Sequence, residues 1–343
     1  MRGDRLPAMS ESPDENPAGG PILTPPGPAP GNEPAQAVDG PPVPAADEAA
    51  ASVGEPETRP ELAEDDPAVA AMDADAEPEE GDLSVFALPF ARIASLYRYP
   101  IKGLSPERLD MVDLEPGAYF PGDRLFAIEN GPSGFDPRAP AFQPKIKFLM
   151  LMRNERLAAL RTRYIDPTST LVIELDGVEE VRAELRTEAG RAEVEAFFKR
   201  FARYQLRGEP RVLEAPSAFR FVDTTEGYVS LINLASCRAL AEEIGAPVDP
   251  LRFRGNLYLD GLEPWEEFDL VGHTIAVGEF VKLRVTERIN RCAATNVDPV
   301  TAKRDMDIPG TLLRSFGHVD CGVFAEIVEG GLITTGDPIR FAG

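Results

Sequence analysis

From residue 91 onward, apolar and polar side chains alternate in short runs, and glycine, proline and aspartate separate these runs. An alternation with a period of two residues is typical of a half-buried strand. The pattern predicts strands at residues 91–99, 109–114, 124–128, 149–152 and 171–175. Short strands with turns between them indicate a barrel or a sandwich.

Two segments change to the helical period. Residues 188–204 place apolar side chains three and four positions apart, which predicts an amphipathic helix packed on the β core. A second helix is predicted at residues 234–244, with Asn233 as its N-cap and Gly245 just past its C-terminal end.

The last third of the chain returns to the alternating pattern. It predicts strands at residues 257–259, 274–277, 280–285, 323–328 and 338–341. Strands and helices do not alternate as they do in a dinucleotide-binding fold. The expected fold class is therefore α+β and rich in strands.

The first 90 residues have a different composition. They contain 17 of the 34 prolines, and they carry a net charge of −17 out of −23 for the whole chain. A segment with low hydrophobicity and high net charge cannot bury enough apolar surface to offset the loss of chain entropy. We therefore expect a disordered acidic tail over residues 1–88.

Composition also excludes several classes of protein. An acidic chain without a basic patch is a poor nucleic-acid binder, and no apolar run is long enough to span a membrane. The N-terminus has neither the pattern of a secretory signal nor that of a mitochondrial transit peptide. Three cysteines, at positions 237, 292 and 321, favour a reducing cytoplasmic setting, and they are too few for a Cys-ligated iron–sulfur cluster.

One segment has the composition of a reactive site. Residues 288–299 read RINRCAATNVDP, so that Cys292 directly follows Arg291 and lies four residues after Arg288, at the end of a predicted strand. Nearby cations favour the thiolate, which is the form that attacks electrophiles and binds soft metals. A buried structural thiol with solvent-facing arginines is the alternative that the residues alone leave open.

Residues 291–301 resemble the cysteine motif of MOSC-domain proteins. These include the C-terminal domains of molybdenum-cofactor sulfurases and the core of the mitochondrial amidoxime-reducing component and its bacterial relatives. Further segments resemble other elements of this family in the same order, at residues 99–103, 122–128, 221–223, 229–232, 252–256, 264–267, 322–325 and 336–338. The resemblance covers residues 91–343. Gly103 and Gly255 depart from it, because the family usually has serine and proline there.

The resemblance implies a two-domain architecture. A MOSC N-terminal β-barrel domain over residues 89–210 would pack on a MOSC β-barrel domain over residues 211–343. The cleft between the two would hold the molybdenum cofactor (Mo-molybdopterin), since such clefts are common ligand sites.

The resemblance also implies roles for particular residues. Cys292 would be the metal ligand and the catalytic residue. The other residues matching the site are Lys102, Arg124, Arg254 and Asn256 at cofactor-contacting positions, Arg291 as a source of positive potential, and Thr295 on the metal side.

The implied function is a molybdenum-cofactor-binding oxidoreductase. It would reduce N-hydroxylated or N-oxygenated small molecules, with electrons from a separate ferredoxin- or flavoprotein-type reductase. The alternative is a carrier that bears sulfur as a persulfide on Cys292 or transfers the cofactor.

Two other clusters contain metal-ligating or acidic side chains. His318 and Cys321, together with Cys292 and His273, form a weak zinc-ligand pattern, because only one pair has ligand spacing. The acidic residues at positions 263–269 are expected to form a solvated face around Trp265, which would anchor its loop to the core.

Overall fold

The computed structural model describes residues 90–224 and 229–342, so the predicted tail over residues 1–88 lies outside the described residues. In the described part, the strands are β1 (Ala91–Arg98), β2 (Glu107–Leu109), β3 (Met111–Leu114), β4 (Phe126–Asn130), β5 (Leu160–Ile165), β6 (Thr170–Leu175), β7 (Val178–Glu184), β8 (Pro210–Glu214), β9 (Val229–Asn233), β10 (Leu257–Asp260), β11 (Thr274–Val277), β12 (Val281–Asn290), β13 (Asp320–Glu329), β14 (Gly331–Thr334) and β15 (Pro338–Phe341). The helices are α1 (Glu188–Phe201), α2 (Leu234–Ile244) and the single turn α3 (Ile308–Thr311). None of the helices in these residues is long and apolar enough to cross a bilayer.

Seven strands close into a barrel, which confirms the β-rich fold class. Their order is β10-β9-β13-β12-β11-β15-β1, and β1 pairs back onto β10 to complete the ring. Within the ring only the β9–β10 pair is parallel. Alternate side chains on β12, such as Val281, Leu283 and Val285, are buried in one apolar core. Closure leaves the ring without a free sheet edge.

Two early strands join the late ones. β1 closes the barrel through its pairing with β10 and β15, and β3 pairs with β14. Both β1 and β3 lie in the segment assigned by sequence to the N-terminal domain. The two parts of the fold therefore share hydrogen-bonded strands in addition to packed side chains.

Residues 99–214 contribute a second core. The β5-β6-β7 meander and the β4–β8 pair surround it, and α1 buries Val194, Phe197 and Phe198 against it. The hydroxyl of Thr187 caps α1 by accepting from the Gly190 amide. A Cβ at position 190 would lie 2.1 Å from a backbone carbonyl oxygen, so this close approach requires glycine.

Helix α2 has the predicted bounds, because both of its ends carry local signals. The Asn233 side chain accepts from the amide of Ala235, and Gly245 ends the helix with a φ of 73°. These are the cap and the left-handed residue that the sequence indicates.

The prediction of a strand at residues 149–152 is wrong. This apolar run begins with one bridge-like bond, from the Leu149 amide to the carbonyl of Ile128, and then turns. The turn closes because the Asn154 side chain accepts from the Met150 amide, and its own amide donates to the Met150 carbonyl. A short buried apolar run has no period that separates a strand from a turn.

The acidic stretch at residues 263–269 is not solvated throughout. Glu267 is fully buried, and its carboxylate accepts from Asn233 Nδ2 at 2.8 Å, Ser236 Oγ at 2.7 Å and the Gly322 amide at 3.3 Å. Two of these donors belong to the N-terminus of α2, the helix end that favours negative charge. Trp265 packs on the core, as expected.

Replacing Glu267 by alanine should destabilise the fold strongly. Three buried donors would lose their acceptor, which we expect to lower the free energy of unfolding by about 3–5 kcal/mol. Urea unfolding measures this change. Asp269→Ala, at an exposed position of the same turn, is the matched control and should stay within about 0.5 kcal/mol. Equal effects of the two substitutions would contradict the role of the buried carboxylate.

Candidate functional site

The seven residues predicted from the sequence line one cavity. It has a volume of about 390 Å³ and lies where the barrel meets the part formed by residues 99–224. The seven are Lys102, Arg124, Arg254, Asn256, Arg291, Cys292 and Thr295. The fold thus brings together side chains from distant segments, while their roles toward a ligand stay predictions. We call this space the cationic cavity.

Cys292 lies in a tight turn directly after β12. Its carbonyl accepts from both the amide of Thr295 at 3.1 Å and the Thr295 hydroxyl at 2.9 Å. These bonds use only the backbone of Cys292, so its half-buried thiol is free to face a ligand.

Arg252 holds the loop that follows Cys292. Its side chain is 1% exposed and pairs with Asp298 at 2.8 Å and with Asp305 at 2.9 Å. Asp298 also accepts from the amides of Val300 and Thr301. Burial opposes the charge of Asp298, but these amides and Arg252 outweigh it and lower the pKa of the carboxyl. The protein's own charged and amide groups therefore hold the loop in a defined shape.

Lys145 is a functional candidate that sequence reasoning missed. It lines the cationic cavity, and its ammonium interacts with the Cys292 side chain and with Asp223, whose carboxylate lies 3.5 Å away. Burial disfavours the charge, but Asp223 and Cys292 raise the pKa of Lys145 above its ordinary value. Lys145 begins the 3₁₀ turn Lys145–Lys147 directly after Pro144, and no motif in the sequence marks it.

Asp223 is the second residue without a predicted role. It forms an ion pair with Lys102, whose Nζ also donates to the carbonyl of Phe221 at 2.9 Å. Burial lowers the pKa of Lys102 despite this partner. The pKa of Asp223 lies well below its usual range, because Lys102 and Lys145 outweigh the effect of burial. Asp223 belongs to a segment that matched the family motif, and that match is the signal that could have found it.

Arg124 and Arg254 stack on the same tyrosine. Their guanidinium carbons lie 4.7 and 4.1 Å from the ring centre of Tyr99. Arg124 pairs with the neighbouring Asp123 and donates to the Arg254 carbonyl at 3.0 Å. Burial disfavours the charge of Arg124, but Asp123 outweighs it and raises the pKa.

Arg254 keeps a donor without a partner. Its Nη1 donates to the carbonyl of Leu104 at 2.8 Å, whereas its buried Nη2 has no hydrogen-bond partner among the described residues. Burial lowers the pKa of Arg254 to about 10. The residue has a φ of 53°, because it ends the 3₁₀ turn Pro250–Phe253. A buried guanidinium with an unsatisfied N–H indicates a place for an anionic acceptor.

The remaining predicted residues make contacts within the protein. Arg291 donates to the carbonyls of Cys321 and Phe253, and no carboxylate forms an ion pair with it among the described residues. Asn256 accepts from the amide and the hydroxyl of Ser230 and donates to a backbone carbonyl. Arg291 therefore adds positive charge, while Asn256 mainly shapes the cavity.

Gly255 explains one departure from the family pattern. A Cβ at this position would lie 2.3 Å from Cγ1 of Ile232, and the Gly255 amide donates to the hydroxyl of Tyr258 at 3.1 Å. Proline would lose this bond and collide with the isoleucine, so the local packing requires glycine.

The cavity carries an excess of positive charge. Seven lysine and arginine residues line it, against three carboxylates. Such a lining can hold an anionic ligand, and the thiol of Cys292 is a soft donor that suits a soft metal.

The zinc pattern is not assembled. Among residues 90–224 and 229–342, no group of three or more histidine, cysteine, aspartate or glutamate side chains is arranged to hold a metal ion. His318 packs on Trp265, and His273 lies against Phe341. Cys321 is fully buried and interacts with Cys237 in a separate apolar cluster.

Comparison with known proteins gives two family matches. The MOSC N-terminal beta barrel domain matches residues 90–208, and the MOSC domain matches residues 218–340. No curated protein sequence matches the chain.

Several solved structures are similar at low sequence identity. YuaD from Bacillus subtilis shares 13% identity over 74% of this chain and 97% of its own, with a TM-score of 0.34. YiiM from Geobacillus stearothermophilus shares 17% identity over 34% of this chain and 55% of its own, with a TM-score of 0.29. YiiM from Escherichia coli shares 19% identity over 35% and 57%, with a TM-score of 0.27.

Proposed function

Because the chain belongs to the MOSC-domain family, which binds molybdenum cofactor in general, we propose that the cationic cavity holds this cofactor and that the protein is an oxidoreductase. The proposed reaction is the reduction of N-hydroxylated or N-oxygenated small molecules, with electrons from a separate protein. The observation that carries the proposal is a half-buried free thiol, Cys292, in a cavity where cations outnumber carboxylates.

The residues present fit the anionic part of such a cofactor. The unpaired Nη2 of Arg254 and the charge of Arg291, which has only carbonyl acceptors, would both be satisfied by a phosphate. Lys102 and Arg124 add two more cations to the lining, and Arg124 lies next to Arg254 on the ring of Tyr99. These four residues would hold the cofactor, and Asn256 would support the wall behind them.

Cys292 and Lys145 fit the metal end. The thiol would be the protein's ligand, because sulfur is a soft donor, and the adjacent Lys145 ammonium would add positive charge beside an anionic cofactor. Thr295 keeps the turn closed through the Cys292 carbonyl and leaves the sulfur available to a ligand. When bound, the cofactor supplies two-electron chemistry, and the oxygen of the N–O group leaves as water.

The test uses the purified full-length protein. Molybdenum is measured by mass spectrometry, and the pterin by its fluorescence after oxidation. Reduced viologen then serves as electron donor for an aromatic amidoxime or a hydroxylamine. We expect stoichiometric molybdenum, and oxidation of viologen that depends on the N-hydroxylated compound. The matching amidine or amine, which lacks the N–O bond, is the control substrate and should not be consumed.

The possible failures are distinct. Molybdenum-loaded protein that oxidises no viologen would contradict the reductase and leave the cofactor site in place. Metal-free protein with an alkylation-sensitive persulfide on Cys292 would contradict the oxidoreductase and support the sulfur carrier.

A further inference from the structure

A second cavity adjoins the cationic cavity. It has a volume of about 300 Å³, at the lower end of the range of about 300–1,000 Å³ that small-molecule pockets occupy. The two cavities share the lining residues Gly103, Leu151, Arg252, Arg254 and Ala294. Ala294 lies two residues from Cys292, so a molecule in the second cavity would be close to the reactive thiol.

The lining of the second cavity is mostly apolar. Four segments meet there, and they contribute Leu104, Leu157, Leu160, Leu251, Val297 and Pro299. We call this space the apolar chamber. Its polar lining groups are largely occupied: the hydroxyl of Ser105, for example, donates to the Leu160 carbonyl and accepts from the Thr162 amide. The chamber therefore favours an apolar occupant over one that needs many hydrogen bonds.

The chamber is preformed. Arg161 donates to the carbonyls of Ala158, Pro299 and Val300, at 2.8, 3.2 and 3.1 Å. These bonds connect the beginning of β5 to the loop that follows Cys292. Because the protein itself holds both walls, a ligand would not need to order them, and binding energy is not lost to that ordering.

The boundary between the two cavities is polar. Arg252 lines both of them and its side chain is 1% exposed. Within the part of the chain that the structure describes, its Nε has no hydrogen-bond partner. An unpaired buried N–H favours an acceptor oxygen at this point. A ligand that matches both surfaces has an apolar body and a polar, oxygen-bearing end.

We propose that the apolar chamber binds the body of the substrate, and that the N–O group of the substrate points into the cationic cavity. This inference rests on the proposed function and names its substrate class. The substrates are amphiphilic N-hydroxylated compounds with an alkyl or aryl body, such as fatty or aromatic hydroxamic acids and amidoximes. Small N-hydroxylated molecules without such a body bind weakly.

The test is a series of straight-chain hydroxamic acids, from the acetyl to the octanoyl compound. Isothermal titration is done with the full-length protein as purified, without an electron donor, so that no turnover is needed. Affinity should rise about three- to fourfold for each added methylene until the chamber is full. An affinity that is the same for all chain lengths would overturn the proposal.

Matched variants locate the effect. Ala158 lines the chamber and is half-buried, so Ala158→Trp fills the chamber and should abolish the dependence on chain length. Ala159→Trp, at the next position and outside both linings, should preserve it. Circular dichroism and thermal unfolding show whether each of the two variants is folded. If Ala158→Trp does not fold, Val300→Glu is the second variant. It places a charge at a lining position that is 66% exposed, and it should lower the affinity of the longest compounds more than that of the short ones.

The reductase activity and the role of the apolar chamber are tested by different results. An affinity that depends on chain length, without any turnover, would contradict the reductase but not the chamber. Equal turnover of short and long compounds, with equal affinity in the Ala158 and Ala159 variants, would contradict substrate binding in the chamber. It would not contradict the reductase activity.

Discussion

A Cys292→Ser protein is expected to fold normally and to contain no molybdenum. The cavity lining holds no other cysteine, and a hydroxyl oxygen is a poor substitute for a soft sulfur ligand. The fold should persist, because the turn is closed through the Cys292 carbonyl and not through its side chain. Metal analysis measures the loss, and the free energy of unfolding should change by less than about 1 kcal/mol.

A second cysteine provides the control. Cys237 is buried in the apolar cluster beneath α2 and does not line the cavity. Cys237→Ala should retain its molybdenum, although removal of a buried side chain lowers its stability. Molybdenum that persists in the Cys292 variant, or disappears equally from both variants, would show that Cys292 is not the ligand.

An Arg254→Met protein is expected to bind the cofactor much more weakly. Methionine keeps an apolar stem beside Tyr99 but removes the guanidinium and its unpaired N–H. Loss of one partner of a buried charged pair costs about 2–5 kcal/mol, which is a fall in affinity of at least roughly 30-fold. Retention of the pterin during dialysis, followed by fluorescence, measures this effect.

Two further variants make this result specific. Arg254→Lys keeps the charge but not the planar fork, so its affinity should lie between those of the wild type and the methionine variant. Arg156→Met removes an exposed arginine that stacks on Phe201, and it should bind the cofactor normally. Methionine and lysine are both strained in the left-handed backbone conformation at position 254. A difference in affinity between the methionine and lysine variants is therefore not due to backbone strain. Equal retention by all three variants would contradict the role of Arg254.

Local signals made part of the fold predictable. Helix α2 has a cap residue before it and a glycine after it, and β11 and β15 have strict alternation between clear turns, so their predicted bounds agree with the structure. The stretch at 109–114 was less predictable. It divides at Asp110 into β2 and β3, which pair with β1 and β14. Which strand a segment pairs with depends on residues far away in the chain, and alternation alone does not carry this information.

The candidate site was predictable to the extent that its residues belong to motifs. Cys292 and Arg254 occur in recognisable segments, and both line the cavity. Lys145 is not predictable in this way, because its relevance comes from proximity in space to Cys292. Asp223 lies in a recognisable segment, but its ion pair with Lys102 is visible only in the folded structure. Glu267 was misassigned as solvated. Its burial depends on three donors from other segments, which compensate the cost of removing a carboxylate from water.

The sequence by itself determined the β-rich class, the order of the motifs, and the position of Cys292 directly after Arg291 and close to Arg288. These features follow from the local period of hydrophobicity and from residue types at short spacing. Only the tertiary structure decided that β1 closes the barrel, that an acidic chain encloses a cationic cavity, and that an apolar chamber adjoins it. Each of these depends on distant segments packing together, and the free energy of that packing is a property of the assembled surfaces.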